Sequence, residues 1–301
     1  MSIVNMLTTT IRQRTDEYRQ NLKRINQCHL RHWADIGIKD TEFDALEARI
    51  GADDEKLSID FTARTLVRIF SNGSFKEGGR FYRGWWQNVP SEYRKHITID
   101  MKHTVEYDFS QLNPHMLYYA YNKELGSEDA YDRVLDGEHR GLVKSAFNAM
   151  IQASTNLRNC PSNIDPSIAD ISWSELRDRI IEAHRPIEHL FFCGTGNKMQ
   201  FEDSCICESV MLHFAEMDTP ALPVHDRFIT HHAYGGELEE AMQRAFYDRF
   251  GGDIPTSKEM LEEYKADDSP PTSIGLDEVL EIEKIYSEWQ ARNDAWFAHK
   301  K

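Results

Sequence analysis

The sequence is poor in cysteine, and its five cysteines form no CxxC pair; only Cys205 and Cys207 are near neighbours. This spacing suggests neither a zinc knuckle nor a disulfide framework, so we expect a reduced, cytoplasmic setting. Long hydrophobic runs are also missing. No stretch approaches the roughly 18 to 20 apolar residues that a membrane-spanning helix needs, and we therefore expect no membrane partner.

Positive charge is scarce as well, because 35 Lys and Arg stand against 50 Asp and Glu, which gives a net charge of -15. Such a chain has no generally basic surface for coating nucleic acid, so any polyanion must bind locally. Residues 1–100 carry 16 basic and 14 acidic residues, whereas residues 101–301 carry 19 and 36. The stretch 64–95 holds seven basic residues against two acidic ones, interleaved with aromatic residues. This mixture suits a phosphate backbone and stacked bases, although a folded surface over an aromatic core has the same composition.

With 301 residues and 40% apolar side chains, the chain can form one large domain or two ordinary ones with a core of their own. Apolar residues three or four apart predict helices over 4–34, 41–50, 112–124, 128–153, 173–192, 201–217, 236–250 and 275–298. Alternating apolar residues predict a hairpin entering a strand over 97–107 and a strand pair around 221–232. The segment DDSPPTS at 267–273 predicts a linker or turn.

Two aspartates have a special position, because each follows a strand-like apolar run and precedes a polar turn. They are Asp108 in VEYDFSQLNPH and Asp226 in ALPVHDRFITHH. Sheets present catalytic groups at strand ends. Taken singly, such an aspartate is more often a turn former or a helix cap.

Between these aspartates lies the segment HRGLVKSAFNAMIQ, in which Arg140 and Lys144 are four residues apart and project from one helical face. Asn148 and Gln152 continue that face. Two carboxylates on adjacent strands can bind two divalent ions, and two cations on a facing helix can hold a triphosphate. Mg²⁺ prefers oxygen ligands and keeps several waters, so two aspartates and the substrate phosphates suffice. These are the parts of two-metal phosphoryl transfer.

Read in order, the chain resembles the polymerase module of family A DNA polymerases, the group that includes the single-subunit phage and mitochondrial RNA polymerases. The elements similar to that family are Gly79-Arg80 (TGR), Gln87-Asn88-Val89-Pro90 (LQNIP), Arg94 before motif A, Asp108-Phe109-Ser110-Gln111-Leu112 (DYSQI of motif A), Arg140 and Lys144 (RxxxK of motif B), Met199-Gln200 (MQG) and His225-Asp226 (HD of motif C). The resemblance covers roughly residues 64–232, and its strength is the order of the elements.

The resemblance implies roles for these residues. Asp108 and Asp226 would hold two Mg²⁺ or Mn²⁺ ions, and Arg140 and Lys144 would contact the incoming triphosphate. The nucleotide would also meet Asn113, Asn148 and Gln152, while the primer-template would meet Arg80, Gln87, Arg94, Gln200 and His225. The implied reaction is attack of a 3′-hydroxyl on the α-phosphate of a nucleoside triphosphate, with pyrophosphate leaving.

Four positions depart from the family pattern, and one of them is Asn148, which replaces the aromatic residue that the family has four positions after the motif B lysine. Asn113 stands where bacterial family A DNA polymerases have a glutamate that crowds the sugar 2′ position, and Gln152 stands where the family has a tyrosine. Both halves of the usual sugar gate are therefore changed, and ribonucleotide use stays open. Arg227 replaces a second acid of motif C, which the phage RNA polymerases also lack.

We therefore expect an α+β fold with an antiparallel palm sheet, reduced helical fingers and an N-terminal helical thumb-like region. The expected division is 1–60 for the thumb-like region, 61–250 for palm and fingers, and 251–301 for an acidic helical extension. The expected function is template-directed DNA polymerase, in a bacterial or phage-encoded context. RNA polymerase or primase, template-independent nucleotidyltransferase and a catalytically silent regulatory subunit remain alternatives. A processivity or template-binding protein is a possible partner.

Three further acids have expected roles. Glu106 lies two residues before Asp108 on the same strand face and is a candidate to help hold a metal. Glu202 and Asp203 are expected to begin a helix, where acids interact favourably with the helix dipole.

Overall fold

The computed structural model describes residues 3–53, 59–126, 128–259 and 276–299. The described helices are α1 (Ile3–Arg31), α2 (Asp40–Asp53), α3 (Ser91–Arg94), α4 (Leu112–Ala120), α5 (Arg140–Gln152), α6 (Trp173–Ala183), α7 (Gly196–Glu216), α8 (Gly235–Phe250) and α9 (Leu276–His299). The described strands are β1 (Ala34–Ile36), β2 (Val67–Phe70), β3 (Gly78–Tyr82), β4 (Ile97–Ile99), β5 (Lys102–Phe109), β6 (Leu222–Val224), β7 (Arg227–His231) and β8 (Thr256–Glu259).

The main sheet is antiparallel and has the order β1-β4-β5-β7-β6, with β8 also paired to β5. Strand β5 is therefore the centre of the sheet. Its first residues pair with β4, and the rest lies between β7 and β8. Strands β2 and β3 form a separate two-stranded sheet. This combination of helices with an antiparallel sheet is an α+β architecture.

Helix α7 connects the two sheets, because it packs against β3 of the small sheet and β6 of the main sheet. It also packs against α1 and α8. A buried ion pair of 2.8 Å between Arg68 and Glu208 joins β2 to this helix. The indole of Trp86 is fully buried and donates a hydrogen bond of 3.0 Å to the carbonyl of Pro223, at β6. The strand β3 and the hairpin formed by β6 and β7 are thus held in fixed positions relative to each other.

Both terminal regions contribute a strand to the main sheet. Strand β1 comes from residues 1–60, and β8 comes from residues 251–301. Helix α9 packs against β1, where the Trp289 indole donates a hydrogen bond of 2.5 Å to Asp35. The linker expected at 267–273 lies outside the described residues. None of the described helices combines the length and apolar character that a bilayer crossing requires.

The helix predicted over 128–153 begins only at Arg140. Residues 128–139 instead form turns and a short 3₁₀ helix, Asp132–Val134. Left-handed φ angles interrupt the segment, at +50° for Asp136, +85° for Gly137 and +54° for His139. Because such angles do not fit a right-handed helix, the apolar pattern alone gave a helix that was too long.

Other helix ends also differ from the predicted ones. The helix predicted over 173–192 ends at Ala183, and the 3₁₀ helix Arg185–Leu190 follows, with a proline at its start. The helix predicted over 201–217 begins earlier, at Gly196. A Cβ atom at this glycine would lie 2.0 Å from Oε1 of Gln152, so a side chain there would collide with Gln152. The absence of a side chain lets the ends of α5 and α7 approach each other closely.

Candidate active site

The structure places Asp108 and Asp226 at the same end of neighbouring strands. Asp108 is the penultimate residue of β5 and lies opposite Arg227 of β7. Asp226 belongs to the two-residue turn that joins β6 to β7. The backbone N–H of Phe109, the residue after Asp108, donates a hydrogen bond of 3.5 Å to the carbonyl of Asp226. The two aspartates therefore lie side by side, at the ends of neighbouring strands.

Two side chains near these aspartates are held by left-handed backbone. His225, in the β6–β7 turn, has a φ of +59°, and Gln111, which precedes α4, has a φ of +56°. Glycine adopts such angles more easily than histidine or glutamine. Non-glycine residues in this region are enriched at functional sites. The two positions border the same cleft.

This cleft has a volume of about 290 Å³ and brings together seven of the residues predicted from the sequence. They are Arg80, Asn113, Lys144, Asn148, Gln152, His225 and Asp226. The remaining lining residues are Phe109, Gln111, Leu112 and Tyr131. Residues from β3, α4, α5 and the β6–β7 turn therefore meet at one place, although they are far apart in the sequence.

Helix α5 presents three polar side chains to the cleft, each four residues after the last: Lys144, Asn148 and Gln152. The Nδ2 of Asn113 donates a hydrogen bond of 2.9 Å to Oδ1 of Asn148, which links α4 to α5. Lys144 is exposed and forms no ion pair with any acid in the described part of the chain. Its ammonium group is therefore available to an anionic ligand.

Asp108 adjoins the cleft without being one of its lining residues, since it directly precedes the lining residue Phe109 and lies beside Asp226. Its pKa is raised to about 7, chiefly by burial and also by the Asp226 carboxylate, although Arg227 and Lys144 act in the opposite direction. Arg227 Nη2 lies 3.0 Å from Oδ2 of Asp108. The other oxygen, Oδ1, is buried and has no hydrogen-bond partner among the described residues.

An unpartnered buried carboxylate oxygen beside a second carboxylate fits a divalent cation. Buried polar atoms normally have partners, and one without a partner in a native structure calls for an unseen ligand or ion. Two aspartates in an open cleft also match the oxygen donors that Mg²⁺ and Mn²⁺ favour. Asp108 and Asp226 therefore fit the predicted metal-ligand role in their chemistry.

Glu106 and Arg94 form a buried support beneath this site. Arg94 is 8% exposed, and its Nε and Nη2 each donate a hydrogen bond of 2.9 Å to the carboxylate of Glu106. Glu106 also accepts a hydrogen bond of 3.1 Å from Arg227. The structure therefore places Arg94 in an internal ion pair rather than on the wall of the cleft. Glu106 is engaged by two arginines.

Arg80 reaches the cleft from β3 and is held there by Asp203 of α7. Its Nε donates a hydrogen bond of 2.8 Å to Oδ2 of Asp203. Burial raises the pKa of Asp203 to about 7, the Arg80 guanidinium opposes this shift, and the Asp226 carboxylate adds to it. Burial also lowers the pKa of His225, and the charge of Arg80 acts in the same direction. The histidine is thus favoured in its neutral form.

Five of the predicted residues lie outside the cleft lining: Asp108 and Arg94, described above, and Gln87, Gln200 and Arg140. The Nε2 of Gln87 donates to the carbonyls of Phe81 and Pro223, at 3.0 and 3.1 Å, and so braces β3 against β6. Gln200 is half-buried on the first turns of α7. Arg140 is paired with an acid, since its Nη2 lies 2.8 Å from Oδ2 of Asp129, and its guanidinium lies 5.2 Å from the ring centroid of the lining residue Tyr131.

The sequence reasoning missed two residues of this site. Tyr131 is 1% exposed and lines the cleft; burial raises its pKa, and the Asp226 carboxylate adds to that shift. It was missed because its segment was predicted to be helical. Asp203 was expected near the start of a helix, but α7 begins seven residues earlier, at Gly196, which places the acid in the buried interior.

No protein-family model matches the chain, and no curated protein matches its sequence. Among solved structures, the chain is similar to the POL domain of Pol1 from M. smegmatis in complex with a DNA primer-template and dNTP, with a TM-score of 0.42 and 14% sequence identity. The match covers 70% of this chain and 50% of that chain, so this chain spans about half of its length. This is a distant likeness, and the function has to be inferred from the chemistry of the cleft.

Proposed function

We propose that this chain is a metal-dependent nucleotidyltransferase that extends the 3′ end of a nucleic acid with nucleoside triphosphates. The observation that carries the proposal is the buried Oδ1 of Asp108, which has no hydrogen-bond partner among the described residues and lies beside the Asp226 carboxylate, at the edge of the cleft that Asp226 and Lys144 line. Two carboxylates and a free cation are the groups that two-metal phosphoryl transfer uses.

Asp108 and Asp226 are the residues that would hold divalent ions. Such ions supply positive charge that makes the 3′-hydroxyl more acidic and stabilises the charge that develops on the phosphate. Lys144, on α5, binds the triphosphate oxygens, because its ammonium forms no ion pair with an acid among the described residues. The reaction forms a bond between the 3′-oxygen and the α-phosphorus, breaks the bond from the α-phosphorus to the oxygen that bridges to the β-phosphorus, and releases pyrophosphate, while the hydroxyl proton goes to water.

The other polar residues of the cleft orient the reactants. Asn113 and Asn148, joined by their 2.9 Å hydrogen bond, face the sugar of the nucleotide. Arg80, held by Asp203, and His225, held by its left-handed turn, contact the primer terminus. Deoxynucleotides are the first choice of substrate. Ribonucleotides are the second choice, because the amides of Asn113 and Asn148 can form hydrogen bonds with a 2′-hydroxyl instead of crowding it.

A primer-extension assay tests the proposal. The purified chain is incubated with a labelled primer-template, Mg²⁺ or Mn²⁺, and either dNTPs or NTPs. We expect template-dependent extension that Asp108→Asn and Asp226→Asn reduce by at least about a thousandfold, since several kcal/mol of transition-state stabilisation are lost. Extension without a template would instead identify a template-independent transferase.

A matched control separates chemistry from folding. Asp170 is exposed and has a φ of +54°, which asparagine also tolerates, so Asp170→Asn makes the same change away from the cleft. This variant should extend at the wild-type rate. Wild-type rates in both cleft variants would contradict the proposal.

One observation favours a second candidate, a catalytically silent subunit that binds nucleic acid. The Arg227 guanidinium lies 3.0 Å from Asp108 and puts positive charge where a cation is needed. In that case wild-type protein would bind the primer-template, measured by fluorescence anisotropy, yet show no extension with either class of nucleotide or either ion.

A further inference from the structure

A second cluster of metal-ligating side chains lies where the end of α1 meets the connection between α7 and β6. Ligand atoms of Cys28, His32 and Asp218 all lie within 4.8 Å of one another. Among the side chains that the structure describes, this is the only such group of three. None of the three lines the cleft that holds Asp226. The cluster is therefore separate from the site described above.

The histidine of this cluster is oriented as metal-binding histidines are. Its Nδ1 lies 2.6 Å from Oδ2 of Asp100, in the β4–β5 turn. A carboxylate beside Nδ1 selects the neutral imidazole tautomer whose proton is on Nδ1, so the lone pair is on Nε2. Histidines that bind metals almost always donate their other ring N–H to a carboxylate, a carbonyl or water.

The Nε2 of His32 points into the cluster without a hydrogen bond. It is buried, it lies 3.7 Å from Oδ1 of Asp218, and it has no hydrogen-bond partner within the described residues. Asp100 is itself fixed, because its Oδ1 accepts a hydrogen bond of 2.8 Å from the backbone N–H of Trp33. In the tautomer that Asp100 selects, Nε2 of His32 therefore presents its lone pair to the same space as the Cys28 thiol and the Asp218 carboxylate.

The other two ligands are also held in place. Cys28 is 1% exposed, four residues before His32 on α1. Asp218 accepts a hydrogen bond of 2.6 Å from Nε of Arg31, and this arginine lowers the pKa of the Asp218 carboxyl. The carboxylate is therefore anionic, and its two oxygens offer more lone pairs than one arginine uses. The Arg31 contact competes with a metal for one of these oxygens.

We propose that Cys28, His32 and Asp218 form a binding site for a zinc-class transition metal ion, with Asp100 as the group that orients the histidine. A thiolate and an imidazole select such an ion over Mg²⁺, which prefers oxygen donors. Binding forms a bond between the metal and the cysteine sulfur and releases the thiol proton to water. The bound ion joins the end of α1 to the segment that leads into β6.

Cobalt and zinc titrations of the full chain test this proposal, and they do not depend on the polymerase activity. Co²⁺ bound to a thiolate gives a sulfur-to-metal charge-transfer band, which ions at Asp108 and Asp226 cannot give. We expect one Co²⁺ per chain with this band and its displacement by Zn²⁺. Cys28→Ala should abolish the band, whereas Cys193→Ser, at an exposed cysteine outside the cluster, should leave it unchanged.

Two further variants keep the test independent of any folding defect at the buried cysteine. Asp218→Asn changes an exposed side chain and should weaken Zn²⁺ binding at least tenfold. Asp100→Asn removes only the orienting carboxylate and should weaken it about 10- to 100-fold. Zn²⁺ should raise the melting temperature of wild type more than that of Asp218→Asn. Absence of the thiolate band from wild type at saturating Co²⁺, or its persistence in Cys28→Ala, would overturn the proposal.

Discussion

Arg227 Nη2 lies 3.0 Å from Oδ2 of Asp108, and this contact engages one oxygen of the aspartate while the other, Oδ1, has no partner among the described residues. The contact follows from the register of the sheet, which sets the two residues opposite each other on β5 and β7. Position 227 therefore influences how strongly the site attracts a cation.

Removing the charge of Arg227 should strengthen divalent-ion binding. Because the guanidinium repels a cation at Asp108, we expect Arg227→Gln to lower the half-saturating Mg²⁺ or Mn²⁺ concentration for extension by about tenfold, or about 1.4 kcal/mol. Arg244→Gln makes the same change on the exposed face of α8 and is the control. An unchanged or higher Mg²⁺ requirement in Arg227→Gln would contradict this account of the site.

Lys144 and Arg140 should differ in their effects, although the sequence pattern treats them as a pair. Lys144 lines the cleft, whereas Arg140 is bound to Asp129. A charged hydrogen bond contributes about 1.5–3 kcal/mol, so Lys144→Ala should raise the KM for nucleotide about 10- to 100-fold. Arg140→Ala should raise it less, and Lys123→Ala, at an exposed lysine, should leave it unchanged. Equal increases of the nucleotide KM in Lys144→Ala and Arg140→Ala, measured by steady-state kinetics, would show that Arg140 also reaches the nucleotide.

Asp203 should act as a positioning residue for Arg80. Without the carboxylate, the guanidinium loses the 2.8 Å hydrogen bond that aims it at the cleft. We expect Asp203→Asn to raise the KM for primer-template about tenfold and to leave the KM for nucleotide unchanged. The control is Glu202→Gln, which removes a charge from the same helix but contacts Arg249 instead. A shift in both KM values, or a similar shift in the control, would mean that the residue serves only the stability of α7.

His184 should make the protein sensitive to acid. It is fully buried, its Nε2 donates to the carbonyl of Ala130 at 3.0 Å, and Tyr118 donates to its Nδ1 at 3.1 Å. Burial lowers its pKa from 6.5 to about 4, and Arg133 acts in the same direction. Since the unfolded chain takes up a proton that the folded chain refuses, the histidine's contribution to stability is present above pH 6.5 and is lost as the pH falls toward 4.

Urea unfolding at pH 7 and pH 5 measures this effect. The wild type should lose about 2 kcal/mol more unfolding free energy between the two pH values than His184→Gln does. The comparison between the two proteins cancels the contributions of other titrating groups. Equal losses would show that His184 does not carry the acid sensitivity.

Much of the site was predictable because its residues follow local rules. Asp108 and Asp226 end strand-like runs, and Lys144 and Asn148 repeat every four residues on one helix, so their shared faces can be read from spacing. The structure brings Asp226, Lys144 and Asn148 into one cleft and places Asp108 beside Asp226. Spacing does not predict the internal partners of the arginines: Arg94 forms an ion pair with Glu106, and Arg140 forms one with Asp129.

The remainder depends on long-range packing. Strands β1, β2, β3 and β8 are three to five residues long, and β8, with the sequence TSKE, has no apolar pattern at all. Its position is set by pairing with β5. The cluster of Cys28, His32 and Asp218 joins residues up to almost 200 positions apart, and no spacing rule connects Asp218 to the other two. Such features appear only when the chain is folded.

The most direct test of the central claim is anomalous diffraction from a crystal of the chain with Mn²⁺, a primer-template and a non-hydrolysable nucleoside triphosphate. The account predicts Mn²⁺ peaks at roughly metal-ligand distance, about 2.0–2.3 Å, from oxygens of both Asp108 and Asp226, with Lys144 on the triphosphate. An ordered complex in which no Mn²⁺ touches both carboxylates would contradict it.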